Sequence, residues 1–114
     1  MKGQSFFKRL SFAMQGLRVA FVREASFRIQ TLAIVVVVAA LWVMGASLIW
    51  WVVGAITVSL VLVAELMNTA IETLADHLHP DQHPEIKAVK DVAAGAVLVA
   101  SLAALFVAIA FCLN

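Results

Sequence analysis

Four polar side chains recur at helical spacing inside an otherwise apolar stretch. Glu65, Asn68, Glu72 and Asp76 lie at positions i, i+3, i+7 and i+11, so an α-helix would gather them in a stripe about 80° wide. Glu65 would lie about 16 Å of helix rise from Asp76, deep in an apolar span if Asp76 marks its end. An ionised carboxylate at that depth is costly unless it is paired, hydrated or metal-bound, so Glu65 is a candidate functional residue.

The stripe needs a cation, because like charges on one helix face repel. The candidates are Arg28, Lys90 or a divalent metal ion. Carboxylate oxygens without cysteine suit Mg²⁺, which takes one or two protein carboxylates and completes its shell with water and substrate phosphates. We predict Glu24 and Glu72 as the metal pair, since both lie near one membrane boundary on inward faces.

Lys90 and Asp91 begin the third apolar run and would supply a cation for phosphates and a further acid. The alternative is a simple interfacial anchor, and for Asn68 it is a hydrogen bond between helices. The chain has no G-x-x-x-x-G-K-[ST] loop, no kinase G-x-G-x-x-G and no H-E-x-x-H. The absence of these motifs argues against the standard soluble nucleotide-binding folds.

The composition requires a membrane to surround these residues. Of 114 residues, 64% are hydrophobic and 13% are charged, too few to cover a soluble domain. Residues 29–64 carry no charge, and one helix of that length would measure about 54 Å against a hydrocarbon core of about 30 Å. The chain must therefore turn, and Gly-Ala-Ser at 45–47 is the only break. We predict transmembrane spans at 29–46, 48–74 and 92–113.

A polar segment at 76–91 is predicted to be the loop between the second and third spans, because it contains Pro80 and Pro84. We interpret its three histidines as solvated loop residues. All eight basic residues lie in this loop or in the first 28 positions. Because basic residues collect on the cytoplasmic side, we predict that the N-terminus and the loop lie inside and the C-terminus outside. Charges recur through the first 28 positions, unlike a cleavable signal peptide, so we expect a retained N-terminus.

Residues 1–28 fit an amphipathic helix on the membrane surface. Its apolar stripe comprises Phe6, Leu10, Ala13, Leu17 and Phe21. Glu24 and Arg28 continue this stripe with charges, either as inward-facing site residues or as an i,i+4 ion pair. The sequence predicts one domain: an all-α integral membrane protein with an N-terminal amphipathic surface helix and three transmembrane helices.

Residues 65–72, E-L-M-N-T-A-I-E, resemble the E-x-x-N-[TS]-A-I-E motif of the prokaryotic diacylglycerol kinase family. The segments E-A-S-F-R at 24–28, K-D at 90–91 and G-L-R at 16–18 fit the same family. The resemblance covers nearly the whole chain. It implies a homotrimer with active sites shared between neighbouring subunits, which uses MgATP to phosphorylate diacylglycerol or, in the Gram-positive branch, undecaprenol.

The resemblance also implies residue roles. Glu65 would be the general base, Glu24 and Glu72 the metal ligands, and Asn68 would orient the acceptor. We expect lipid contacts from Glu65, Asn68, Ser26 and Arg28. We expect ATP contacts from Lys8, Phe12, Glu24, Glu72, Asp76, Asp81, His83, Lys90 and Asp91. Phe12 stands where the family's diacylglycerol kinases have a tyrosine, and Ser5 where an arginine is expected, which leaves Lys8 and Arg9 as substitutes.

Two other function classes fit parts of this pattern: a small proton-coupled transporter, in which Glu65 alternately binds protons and substrate, and a structural membrane subunit. Either would explain one buried acid. Neither explains why so many charged groups lie at one membrane face. We therefore predict ATP-dependent phosphorylation of diacylglycerol to phosphatidic acid, with undecaprenol as the alternative acceptor, in the bacterial cytoplasmic membrane and without a nucleic-acid partner.

Overall fold

A computed structural model of the chain describes residue 3 and residues 5–114. The described residues form four α-helices and no strand, which confirms the predicted all-α fold. The helices are α1 (Phe6–Arg23), α2 (Ala25–Val43), α3 (Leu48–Leu78) and α4 (Pro84–Leu113). The last three, of 19, 31 and 30 residues, are long and apolar enough to cross a membrane.

The amphipathic helix α1 is shorter than the predicted surface segment 1–28. The side chain of Ser5 caps its start by accepting a hydrogen bond from the backbone N–H of Lys8 at 3.2 Å. It ends at Arg23, because Glu24 takes an extended conformation (φ −113°, ψ 111°) and the chain then enters α2. Residues 25–28 therefore belong to the first long apolar helix. The prediction for residues 1, 2 and 4 lies outside the described residues.

The turn between α2 and α3 lies at the predicted glycine. Gly45 has a positive φ of 62°, which side chains with a Cβ adopt only at a cost. The N–H of Ala46 donates to the carbonyl of Leu41 at 3.0 Å, and that of Gly45 donates to Trp42 at 3.2 Å. This pair of hydrogen bonds is a Schellman motif, which satisfies the last carbonyls of α2 without any polar side chain.

The loop between α3 and α4 comprises only residues 79–83, much shorter than the predicted 76–91. Pro84 occupies the start of α4, where its fixed φ favours a helix and its missing N–H is not needed. The side chain of His83 caps the same helix by accepting the N–H of Glu85 at Nδ1, over 3.1 Å. The proline therefore begins a helix instead of extending the loop.

The long helices pack in the order α2, α3, α4, with α3 in contact with all three other helices. The buried apolar side chains are few and include Phe27, Leu41 and Val61. Many large apolar side chains are exposed, among them Phe106 at 74% and Leu113 at 82%. An apolar outer surface of this extent is what a lipid-embedded helical protein presents.

Candidate active site

Glu65 lies on α3 and is 5% exposed, the one buried charged side chain among the described residues. Its Oε2 accepts a hydrogen bond from the hydroxyl of Ser26 at 3.3 Å. Ser26 is the second residue of α2, two positions after Glu24. The structure therefore brings the 24–28 segment against the polar stripe of α3, and this hydrogen bond joins two of the predicted lipid-contact residues.

Asn68 lies one turn after Glu65 on the same helix. Its side-chain carbonyl oxygen is buried and has no hydrogen-bond partner among the described residues. A buried acceptor without a partner costs free energy, so a hydrogen-bond donor from a ligand or another chain would stabilise this atom. The placement suits the predicted role of Asn68 in orienting an acceptor hydroxyl.

The predicted metal pair occupies two elements. Glu72 is half-buried on α3, and Glu24 is half-buried at the corner between α1 and α2. Neither carboxylate forms an ion pair within the described part of the chain. That part also contains no cluster of three or more acidic, histidine or cysteine side chains that could hold a metal. Two free carboxylates suit Mg²⁺, which completes its shell with water and phosphate oxygens.

Arg28 does not pair with Glu24, so the interpretation of the two as an i,i+4 ion pair is wrong. Its Nη1 instead donates hydrogen bonds to the backbone carbonyls of Phe21 at 2.8 Å and Val22 at 3.0 Å. The guanidinium thus contacts the C-terminal end of α1 rather than the polar stripe. Its predicted lipid contact stays a prediction.

Lys90 provides the cation at the end of the stripe. Its ammonium group forms an ion pair with Asp76, which joins the start of α4 to the end of α3. Three turns of helix separate Asp76 from Glu65, so Lys90 does not neutralise the deeper part of the stripe. Of the two candidate side chains, Arg28 and Lys90, the structure places Lys90 at the stripe.

Lys87 is not among the predicted site residues, although its i,i+4 spacing to Asp91 is typical of an ion pair on one helix. Its ammonium group lies 2.7 Å from Oδ2 of Asp91. The hydrogen bond and charge of Asp91 raise the pKa of Lys87 above its usual 10.5, so Lys87 stays charged near neutral pH. The predicted nucleotide contact Asp91 is therefore already paired within the chain.

A cavity of about 650 Å³ lies beside the α3–α4 loop. Three predicted nucleotide contacts line it, Asp81, His83 and Lys90, and Lys87 joins them. Both ammonium groups are paired with carboxylates, so an anionic ligand in the cavity would compete with Asp91 and Asp76 for them. Of the remaining predicted contacts, Lys8 and Phe12 lie exposed on α1, four residues apart, outside the lining of this cavity.

Comparison with known proteins agrees with this architecture. Residues 11–112 match the family model described as prokaryotic diacylglycerol kinase. A diacylglycerol kinase of Synechocystis is 39% identical over 84% of this chain, and the chain spans 55% of that relative's length. An Escherichia coli diacylglycerol kinase is 34% identical over 85% of the chain and 80% of its own length. A Bacillus subtilis undecaprenol kinase is 34% identical over 82% and 76%, respectively.

The matched region contains α2, α3 and α4 almost entirely, together with most of α1. It includes the polar stripe of α3, the corner at Glu24 and the two lysines of the cavity. The relatives named above are all kinases of membrane lipids, and none of them supports a transporter. This chain belongs to the prokaryotic diacylglycerol kinase family.

Proposed function

We propose that this protein transfers the γ-phosphoryl group of ATP to the hydroxyl of diacylglycerol and so forms phosphatidic acid. The observation that carries the proposal is the buried carboxylate of Glu65, held by Ser26 at 3.3 Å and followed by the unpartnered carbonyl of Asn68. An acid and an acceptor at this depth suit a hydroxyl that stays in the bilayer. The names of the Synechocystis and Escherichia coli relatives support the same acceptor.

Glu65 acts as the general base in this proposal. Its carboxylate takes the proton of the lipid hydroxyl as the lipid oxygen forms a bond to the γ-phosphorus. The bond between that phosphorus and the bridging oxygen breaks, and its electron pair leaves with ADP. The hydroxyl of Ser26 donates to Oε2 and orients the carboxylate, which leaves Oε1 for the substrate. The carbonyl of Asn68 can accept a hydrogen bond from a polar group of the lipid.

Glu24 and Glu72 would hold Mg²⁺ at this site. The ion would neutralise charge on the phosphoryl oxygens when bound. One carboxylate belongs to the 24–28 segment and the other to α3, and neither forms an ion pair within the described chain. A hard cation is therefore the natural partner that the protein itself does not supply.

The nucleotide occupies the cavity beside the α3–α4 loop. Lys90 and Lys87 contact its phosphates, and Asp81 and His83 contact its polar groups from the loop. Phosphates would compete with Asp76 and Asp91 for the two ammonium groups and release these acids from their ion pairs. The present ion pairs thus keep the cavity charge-balanced before ATP arrives.

A homotrimer completes this site. Lys8 and Phe12 are exposed and lie outside the lining of their own chain's cavity, and we infer that they reach the nucleotide of a neighbouring subunit. Phe12 is 39% exposed and can stack on a base, while Lys8 adds a charge. In this arrangement the N-terminus and the α3–α4 loop lie on the cytoplasmic side of the inner membrane, where ATP is found, and the C-terminus lies outside.

Undecaprenol is the second candidate acceptor, because a Bacillus subtilis relative at 34% identity bears that name. The purified protein should be assayed in vesicles with labelled ATP and Mg²⁺, with each lipid in turn at equal surface concentration. We expect faster transfer to diacylglycerol. Faster transfer to undecaprenol would reassign the acceptor, and transfer to neither lipid would contradict the proposed function.

A further inference from the structure

The corner between α1 and α2 is a single residue long. Glu24 alone separates the two helices, and its extended backbone interrupts the helical hydrogen bonds. Its N–H still donates to the carbonyl of Ala20 at 2.9 Å. In a continuous helix the next two carbonyls, of Phe21 and Val22, would pair with the N–H groups of residues 25 and 26. The corner removes these partners and leaves two acceptors open.

Arg28 supplies the missing donor from the other side of the corner. One nitrogen of its guanidinium, Nη1, donates to both Phe21 and Val22, at 2.8 and 3.0 Å. Its own backbone N–H donates to the carbonyl of Glu24 at 3.2 Å. A cation at the C-terminal end of α1 also complements the helix dipole. Arg28 therefore contacts backbone atoms on both sides of Glu24.

The segment that carries Glu24 is fixed at a second point. Ser26 bonds to Glu65 of α3 at 3.3 Å, while Arg28 bonds to the end of α1. One contact sets the position of the segment against α3, and the other sets the direction in which α1 leaves it. Glu24 lies in the chain between the end of α1, which Arg28 contacts, and Ser26, which bonds to α3, so the position of its backbone depends on both contacts.

We propose that Arg28 is a positioning residue, whose guanidinium holds the α1–α2 corner in the angle that directs Glu24 toward the metal. This inference rests on the proposed role of Glu24 in holding Mg²⁺. It differs from the predicted role of Arg28 as a lipid contact, because the guanidinium acts on backbone carbonyls and not on the acceptor. The two roles predict different kinetic changes.

The first test is a pair of substitutions measured against both substrates. Arg28→Gln should raise the Mg²⁺ concentration for half-maximal activity by about tenfold, the factor expected when a charge-assisted hydrogen bond is lost. Arg28→Lys, which keeps a charged donor, should restore most of this change. The KM for diacylglycerol should move less than the Mg²⁺ requirement. A larger rise in the lipid KM would overturn the positioning role in favour of a lipid contact.

The second test measures the corner itself without reference to activity. Spin labels at Met14→Cys on α1 and Val36→Cys on α2, both exposed positions, report the angle between the helices by pulsed electron spin resonance. Cys112 is replaced by Ser, and labelled subunits are diluted with unlabelled ones. The matched control is Arg23→Gln, which removes a neighbouring exposed arginine without a side-chain hydrogen bond among the described residues.

The distance distribution should be narrow for the parent and for Arg23→Gln. It should be broad or shifted for Arg28→Gln and intermediate for Arg28→Lys. An unchanged distribution in Arg28→Gln would overturn the positioning role. A broadened distance distribution with a normal Mg²⁺ requirement would show that Arg28 holds the α1–α2 corner and would overturn the proposed metal role of Glu24. If Arg28→Gln does not fold, Arg28→Lys still gives both measurements.

Discussion

Replacing Glu65 by glutamine removes the proposed base and little else. Glutamine matches glutamate in size, and its amide oxygen can still accept the hydrogen bond from Ser26 that the carboxylate accepts at 3.3 Å. It cannot take a proton from a lipid hydroxyl. Loss of a general base lowers kcat by roughly 10² to 10⁴. We expect Glu65→Gln to fall in this range.

The matched control is Ser26→Ala, which removes the hydrogen bond to Glu65 and leaves the carboxylate in place. A hydrogen bond to a charged group is worth about 1.5–3 kcal/mol, and a long one lies at the lower end of this range, which corresponds to a change in kcat of about tenfold. The affinity for ATP should change little in either variant, because Glu65 lies three helical turns from Asp76, which stands at the proposed cytoplasmic end of α3. The thermal midpoint of Glu65→Gln should be equal or higher, since a carboxylate that is 5% exposed carries a desolvation cost.

Three measurements on the same preparation separate the possibilities: lipid phosphorylation at saturating substrates, ATP binding, and thermal unfolding of the assembled protein. The reasoning predicts a large loss of kcat with ATP binding and stability retained. Near-normal turnover in Glu65→Gln would remove Glu65 from the catalytic role. An equal loss in Ser26→Ala would show that orientation, rather than proton transfer, limits the rate.

Three further predictions concern the metal, the nucleotide and the topology. Glu24→Gln and Glu72→Gln should each raise the Mg²⁺ requirement, because an amide lacks the charge that holds the ion, and normal activity at limiting Mg²⁺ would refute this pair. Lys90→Ala should raise the KM for ATP by about tenfold. Lys87→Ala should raise this KM by less, because the ion pair of Lys87 is exposed and screened. Equal KM values in both variants and the parent would exclude the cavity as the nucleotide site. With the exposed Cys112 replaced by Ser, Gln82→Cys should resist a membrane-impermeant thiol reagent in intact cells, and labelling from outside would reverse the orientation.

The long apolar runs and the polar stripe were predictable, because membrane insertion imposes length and helical periodicity on the sequence. Glycine at position 45 marked the first turn for a local reason, since the turn needs a positive φ. Glu65, Asn68, Glu72 and Asp76 share α3 as their spacing required. These features depend on residues close together in the chain.

The missed features depend on contacts between distant parts of the chain or on ambiguous local signals. Glu24 is neither glycine nor proline, so its residue type does not predict the end of α1. The corner is stabilised by Arg28 from the next helix. Pro84 can end a loop or begin a helix, and His83 decides between them by capping α4. The pairing of Lys90 with Asp76 requires α3 and α4 to meet.

The appearance of labelled phosphatidic acid tests the central claim most directly. Purified protein in vesicles that contain diacylglycerol is given ATP labelled at the γ-phosphate, with Mg²⁺ or with a chelator, and the lipid fraction is analysed. Label should enter phosphatidic acid only with Mg²⁺, and Glu65→Gln should lower that transfer by at least about a hundredfold. Label released as inorganic phosphate without a lipid product, or lipid labelling that survives in Glu65→Gln, would contradict phosphoryl transfer to a hydroxyl activated by Glu65.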